Sequence, residues 1–397
     1  MYIGAMKWLK TTFAVLLLLF ITVEIYLAAS DKLFVNYVIA GTLLKGKTGP
    51  DIDELNDFPS RKLGSHKPTA WPIHTAYGKV APAPELLAKA MEYETTALVL
   101  IKNDSLLFED YRGFGEVHQV SNSFSMAKSI TAALIGIALK DGLINSLDDA
   151  LGKYIPEFNT EKYSKITLKH LLWMGSGLDF HESYGDPFGW PAKAYYGKDV
   201  NATVINPDIS LEPGIQYVYK GGDTQLLGMV LYKVSGKSVA EFATEKLWKP
   251  LNAEDAAYWS LDTENGMEKV SCCFYATARD FARLGSLYLH KGNWNGNQLI
   301  DTSFIEASLK AAPLQNLDGN AVTNYGYQWW LTQHKGLDVF YARGIRGQYI
   351  FCIPEKNLVL VRLGHRRASK TGDELPEDGK VYLDMALEMG KIKNYIR

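Results

Sequence analysis

One stretch constrains this chain more than any other: residues 121–142, SNSFSMAKSITAALIGIALKDG. Ile130, Ala133, Leu134, Ile137 and Ala138 recur at spacings of three and four, which is the period of a helix, and Gly142 supplies its stop. The same stretch holds the single Ser-x-x-Lys of the chain, Ser125-Met126-Ala127-Lys128. In a helix that starts at Ser125, Lys128 lies one turn further on, on the serine's own face.

That spacing has a chemical use. A serine hydroxyl is a weak nucleophile until a base takes its proton, and an amine one turn away reaches it. A helix N-terminus adds free N–H groups and the positive end of a dipole, which favour an oxyanion formed there. Lys128 has to be neutral to act as that base, so it needs apolar surroundings, which Phe124, Met126 and Ile130 can supply. Taken alone the motif is short and equally describes a capped helix with a solvated lysine.

Composition narrows the alternatives. At 397 residues, 47% hydrophobic and 22% charged, the chain has ordinary globular values and room for one large domain or two smaller ones. A net charge of −2 with no basic block argues against nucleic acid as a partner. Without His-Glu-x-x-His or Cys-x-x-Cys, no metal site and no cofactor is expected. Gly-x-Ser-x-Gly is missing, which removes the strand–turn nucleophile of α/β-hydrolases. Cys272, Cys273 and Cys352 are too few for a disulfide framework, and all three read as buried or inert.

Along the chain, residues 1–30 read as a membrane anchor or signal segment. Residues 11–30 are the most apolar stretch, preceded by Lys7 and Lys10 and interrupted by Glu24. Apolar character resumes at 33–44, which favours an uncleaved anchor. Both readings export the rest of the chain and place a catalytic domain in the cell envelope, outside the cytoplasm. Residues 31–95, rich in proline, read as a linker and lead-in.

The remainder, 96–397, reads as one domain. Strands are expected at 96–101 and 105–111, joined at Asn103-Asp104. Short helices come next at 147–155 and 166–174, then an aromatic irregular stretch at 180–211. Helices at 225–234, 276–290 and 378–389 and strands at 325–331, 338–342, 348–353 and 358–364 complete the pattern. Strands at both ends with helices between imply one discontinuous α/β (α+β) sheet and a helical insert.

In this order the pattern resembles the serine β-lactamase and penicillin-binding superfamily, within it the class C-like branch that includes 6-aminohexanoate-dimer hydrolases. The resemblance runs from about Leu98 to the C-terminus. It rests on Ser125–Lys128, on ITLKHLLWMGSGL at 166–178, on Pro213-Gly214 leading to Tyr219, on ARDFARLG at 278–285, on YGYQWW at 325–330 and on 344–354. It implies the β-lactamase/transpeptidase-like fold, an antiparallel sheet flanked by helices from both chain ends plus a mostly helical insert, and a Ser125 acyl-enzyme, with Lys128 and Tyr219 moving the proton. It also implies an oxyanion hole made by the backbone N–H groups of Ser125 and Ile345. Tyr217 is the close competitor of Tyr219.

Two departures bear on the substrate. The branch's Tyr-x-Asn carries Gly221 in place of its asparagine, and the usual Lys or His of the third motif is Ala342. Both argue against efficient β-lactam turnover. A literal Lys370-Thr371-Gly372 exists but comes after the last strand in a polar run, so it is not taken as that motif. The loop Gly344-Ile345-Arg346 matches the 6-aminohexanoate-dimer branch. Arg343 and Arg346 are candidates to fork a substrate carboxylate, and Tyr184 and Trp190 to shape the entrance. The expected function is hydrolysis of a small-molecule amide or ester, with a membrane contact through the N-terminal segment. A D-alanyl-D-alanine carboxypeptidase or weak β-lactamase and a catalytically silent envelope binding protein are the alternatives.

Overall fold

The computed structural model describes residues 2–369 and 375–391, so Lys370-Thr371-Gly372 lies outside the described residues. Six strands form the main sheet: β1 (Thr95–Lys102), β2 (Ser105–Tyr111), β3 (Trp330–His334), β4 (Leu337–Gly344), β5 (Gln348–Ile353) and β6 (Leu358–Gly364). Their spatial order is β3-β4-β5-β6-β1-β2, antiparallel throughout, so the first strand of the domain pairs with its last. Asn103 and Asp104, both at positive φ, make the tight β1–β2 turn that two such residues favour.

Both faces of this sheet are covered, and the strands show why. Val99, Ile101, Ile350, Cys352, Val359 and Val361 point to one side, into a core shared with the helix Ala278–Leu289. Leu98, Leu100, Tyr349, Phe351 and Leu360 point to the other, against the helices Pro84–Glu92 and Glu377–Met389. A strand buried on both faces reads as a continuous apolar run, as ALVLI in β1 does.

A second sheet positions the site. It has four short strands in the order Ser60–Leu63, Ala257–Ser260, Phe274–Ala276 and Ser121–Asn122. The first comes from the proline-rich lead-in, which is thereby paired into the fold. Next to it runs the helix Ala127–Lys140, whose residues 127–138 are all buried. A helix apolar on every side belongs in the middle of a domain.

Three local expectations are corrected. Residues 147–155 hold no α-helix but the 3-10 turn Leu151–Lys153, tied by Lys153 and Tyr154 to the Asp149 carboxylate, and a second such turn, Pro156–Phe158, comes after it. Within 325–331 only Trp330 onward is strand, because Gln328 takes a left-handed φ of 59° and turns the chain. Cys272 and Cys273 are not separate thiols: they are joined in a disulfide between neighbours, with Cys273 buried and at positive φ.

At the N-terminus the helix Tyr2–Ala29 contains 24 residues, Met6–Ala29, long and apolar enough to cross a membrane. A second, shorter helix, Phe34–Gly41, comes after it and packs against the helix Trp190–Tyr196.

Candidate active site

The second sheet delivers the serine. Ser121 and Asn122 pair with Ala276 and Tyr275, and the Ser123 N–H continues the pairing to Phe274 O at 2.8 Å. The chain then turns sharply, with Phe124 at φ 45°, a strained conformation for a large side chain. The Asn122 Oδ1 holds that turn by accepting the Phe124 N–H at 2.9 Å. Ser125 sits in the one-turn 3-10 helix Phe124–Met126, just ahead of the α-helix that begins at Ala127.

Lys128 is 3% exposed and its Nζ lies 3.1 Å from Ser125 Oγ. The same amine donates to the Ser271 carbonyl at 2.8 Å, a partner brought in by the loop before Phe274. Tyr219 stands on the other side, its ring centroid 5.2 Å from Lys128 Nζ. That ring is held edge-on to Tyr325 at 5.9 Å and tilted against Trp330 at 5.4 Å. Tyr217 instead packs on Tyr325 within the core behind the main sheet. Serine and amine therefore meet, and the tyrosine whose ring stands beside the amine is Tyr219.

The end of β4 closes against the serine turn. A Cβ on Gly344 would stand 2.3 Å from Ser123 O and 3.2 Å from Phe124 Cβ, so only glycine allows the approach. Ile345, next in the chain, lines the same cavity as Ser125 and Lys128. The arginines are placed differently from the expectation. Arg343 lies flat over Trp330, 3.7 Å from the ring centroid. Arg346 donates to the carbonyls of Pro50 at 2.5 Å and His365 at 3.0 Å, fastening the lead-in to the sheet. Neither is among the residues that line the cavity of Ser125 and Lys128.

Tyr184 and Trp190 do line it. Sequence reasoning missed the group between them. Glu182 accepts the Gly221 N–H on both oxygens, at 2.8 and 2.6 Å, and a bond from the Tyr184 hydroxyl at 2.9 Å. Burial pushes this carboxyl up, against the opposing pull of Lys128 and the Tyr184 and Gly221 donors. A Cβ at 221 would come within 2.7 Å of the Trp190 ring. The space that an asparagine side chain would take is filled by Trp190 and Glu182, which accounts for Gly221. No local signal marks Glu182, because its partner lies 39 residues away across an irregular loop.

Asp223, in the first turn of the helix Gly221–Ser235, is fully buried and accepts from Ser176 Oγ at 2.6 Å. Burial pushes its carboxyl up to about 6, with Lys220 and Ser176 opposing. A folded-state value above the ordinary one means that the folded protein binds the extra proton. Stability therefore falls as pH rises from about 4 to about 6 and stays lower above that. Asp223→Asn is expected to remove this slope. Thermal melting should find the variant equal to wild type near pH 4 and more stable by up to about 3 kcal/mol near pH 7.5.

Comparison with known proteins gives the family and the fold. The beta-lactamase family model matches residues 85–380, and the chain belongs to that family. It is a serine hydrolase of the beta-lactamase type. Over 297 residues it is 24% identical to the 6-aminohexanoate-dimer hydrolase of Paenarthrobacter ureafaciens, covering 70% of this chain and 75% of that one. Among solved structures, a Bacillus anthracis protein assigned as a 6-aminohexanoate-dimer hydrolase superposes with a TM-score of 0.71 at 23% identity, over 84% of this chain and 90% of that one. A family VIII carboxylesterase superposes at 0.59 and 16% identity, over 78% and 99%. These structures carry the fold: an antiparallel sheet with helices on both faces and a helical insert.

Proposed function

We propose that the chain hydrolyses an amide or ester through an acyl-enzyme on Ser125. The observation that carries this is the 3.1 Å contact between Ser125 Oγ and the buried Lys128 amine, beneath the Tyr219 ring. Ser125 Oγ forms a bond to the substrate carbonyl carbon as its proton passes to Lys128. The backbone N–H groups of Ser125 and Ile345 receive the oxyanion. The C–N or C–O bond then breaks, and the leaving group departs with a proton returned through Lys128 and Tyr219. Water adds to the acyl-enzyme by the same route and frees the acid and Ser125.

The filled space at Gly221 favours this reading over a β-lactamase or D-alanyl-D-alanine carboxypeptidase, since Trp190 leaves no room for the asparagine those activities use. An intact Ser125–Lys128 contact disfavours a silent binding protein.

The helix Tyr2–Ala29 is read as an anchor that stays attached. Its last turns are built into the domain: Leu27 is buried against Phe34 and Val35, and Glu24 accepts both bonds of the Asn36 amide at 3.0 and 2.8 Å. Lys193 pairs with Asp31 at 2.5 Å. Trp8 and Tyr26, both exposed, are about 27 Å apart along such a helix, near the thickness of a bilayer core.

The test is intact mass after a fluorophosphonate probe. A single adduct is expected on wild type and none on Ser125→Ala. A folded wild type that takes no adduct would falsify the hydrolase reading.

A further inference from the structure

The cavity above Ser125 has a volume of about 570 Å³, within the range of pockets that hold whole small molecules. Its floor is polar, made of Ser125, Lys128 and Ser271. Its walls are not. One side is Trp190, Pro191 and Ala194, and the other is Val35, Val38 and Ile39 of the helix Phe34–Gly41, continued by Leu43.

That second wall is unusual in where it comes from. The helix Phe34–Gly41 begins only a few residues after the helix Tyr2–Ala29 ends, and it is about 12 Å long. Leu33, Tyr37, Ile39, Leu43 and Leu44 remain exposed on this segment, Leu43 at 69% and Leu44 at 79%. Apolar surface of this extent, continuous with a membrane-spanning helix, belongs at the bilayer surface rather than in water. Lys32 reaches over the Phe188 ring and Lys198 over the Tyr37 ring, both at 5.2 Å, putting cations on the same rim, where lipid headgroups would lie. The wall of the cavity and the membrane-facing surface are thus one segment, residues 34–44, with Ile39 and Leu43 belonging to both.

We infer that the substrate is a long-chain fatty-acyl amide or ester that enters from the bilayer, its acyl chain lying in the cavity along the apolar lining that the packed helices Phe34–Gly41 and Trp190–Tyr196 share. The inference rests on the Ser125 acyl-enzyme reading. The chain belongs on the acyl side, because the acyl group stays on Ser125 through both steps while the leaving group must exit after the first. Ser125 Oγ gains the acyl carbon, the alcohol or amine leaves with a proton, and water completes the hydrolysis, so that no further reactant is needed.

The experiment uses the full chain reconstituted in phosphatidylcholine vesicles and p-nitrophenyl esters from acetate to decanoate. Wild type is expected to show kcat/KM at least tenfold higher for decanoate than for acetate. In Ile39→Gln/Leu43→Gln, two partly exposed positions whose replacement a thermal melt can check, the decanoate-to-acetate ratio should fall at least fivefold. A wild-type ratio near or below one, with acetate turned over and Ser125 labelled, overturns the acyl-chain inference and leaves the hydrolase reading standing. A high ratio unchanged in the variant also overturns it, since partition of the ester into the vesicle then explains the preference. Loss of both labelling and acetate turnover in folded wild type overturns the hydrolase reading itself, and this inference with it.

Discussion

Replacing Lys128 by methionine is expected to lower kcat by about 10²–10⁴-fold, the range that a positioned general base contributes, with a similar slowing of fluorophosphonate labelling. Methionine keeps most of the buried stem and removes only the amine, so the packing around a 3%-exposed side chain is disturbed as little as possible. The amine has two partners, Ser125 Oγ at 3.1 Å and Ser271 O at 2.8 Å. A neutral amine has two hydrogens and one lone pair. Donation to the Ser271 carbonyl, which can only accept, fixes where the nitrogen points and keeps it within reach of the serine hydroxyl. Lys128→Arg separates this role from that of a fixed positive charge. A guanidinium keeps the charge and the donors but does not give up its proton. If Lys128 is the base, arginine should be as inactive as methionine. If arginine restores activity to within a few fold of wild type, Lys128 acts as a charge and the base lies elsewhere.

The parts of this site that could be read from the sequence are those that depend on local geometry. Ser125 and Lys128 are one turn apart on a continuous apolar run, and no tertiary contact is needed to bring them together. The strands at 96–101, 105–111, 348–353 and 358–364 were legible for the same reason: each is a short β-branched or aromatic run bounded by turn residues. Where a distant partner decides the outcome, the sequence is silent. Gln328 looks like one more residue of a strand, yet it is buried and takes a left-handed φ. There its side chain accepts from Thr224 and donates to Leu171 O, while its carbonyl receives Ser129. Those three bonds stitch the helix of the serine to the helix after Tyr219, and none is visible at 325–331. Arg346 looked available for a substrate because nothing nearby in sequence pairs with it. Its acceptors, Pro50 and His365, come from 296 residues before and 19 residues after. Glu182, bonded to Gly221, and the place of the helix Phe34–Gly41 in the cavity lining were missed for the same reason, since both are set by the fold of the 180–211 stretch.

Arg362→Met is expected to destabilise the protein by about 3–5 kcal/mol and, in the fraction that remains folded, to lower kcat about tenfold. Arg362 lies on β6, entirely buried. Its guanidinium donates to Arg346 O at 2.8 Å, Gly347 O at 2.6 Å, Arg366 O at 2.9 Å and Thr95 Oγ1 at 3.2 Å, and also to Tyr93 O. These acceptors belong to three separate pieces of chain: the approach to β1, the turn after β4 and the segment after β6. Methionine would leave a group of buried carbonyls without donors, which costs far more than the packing it preserves. The turn after β4 is the one that carries Ile345, so the same arginine holds the proposed oxyanion N–H in place. Gly347 records how closely they pack: it takes a φ of 83°, and a Cβ there would stand 2.4 Å from Arg362 Nη1. Arg362→Lys should not recover the loss, because one ammonium cannot span acceptors spread around a planar fork. Thermal melting measures the first effect. The second is read well below the melting point of the variant, as kcat per titrated Ser125, so that unfolded protein does not count. A destabilised variant with unchanged kcat per active serine would mean that Arg362 supports the sheet and not the turn. A fall in both would tie the stability of the main sheet to the geometry of the site through one side chain.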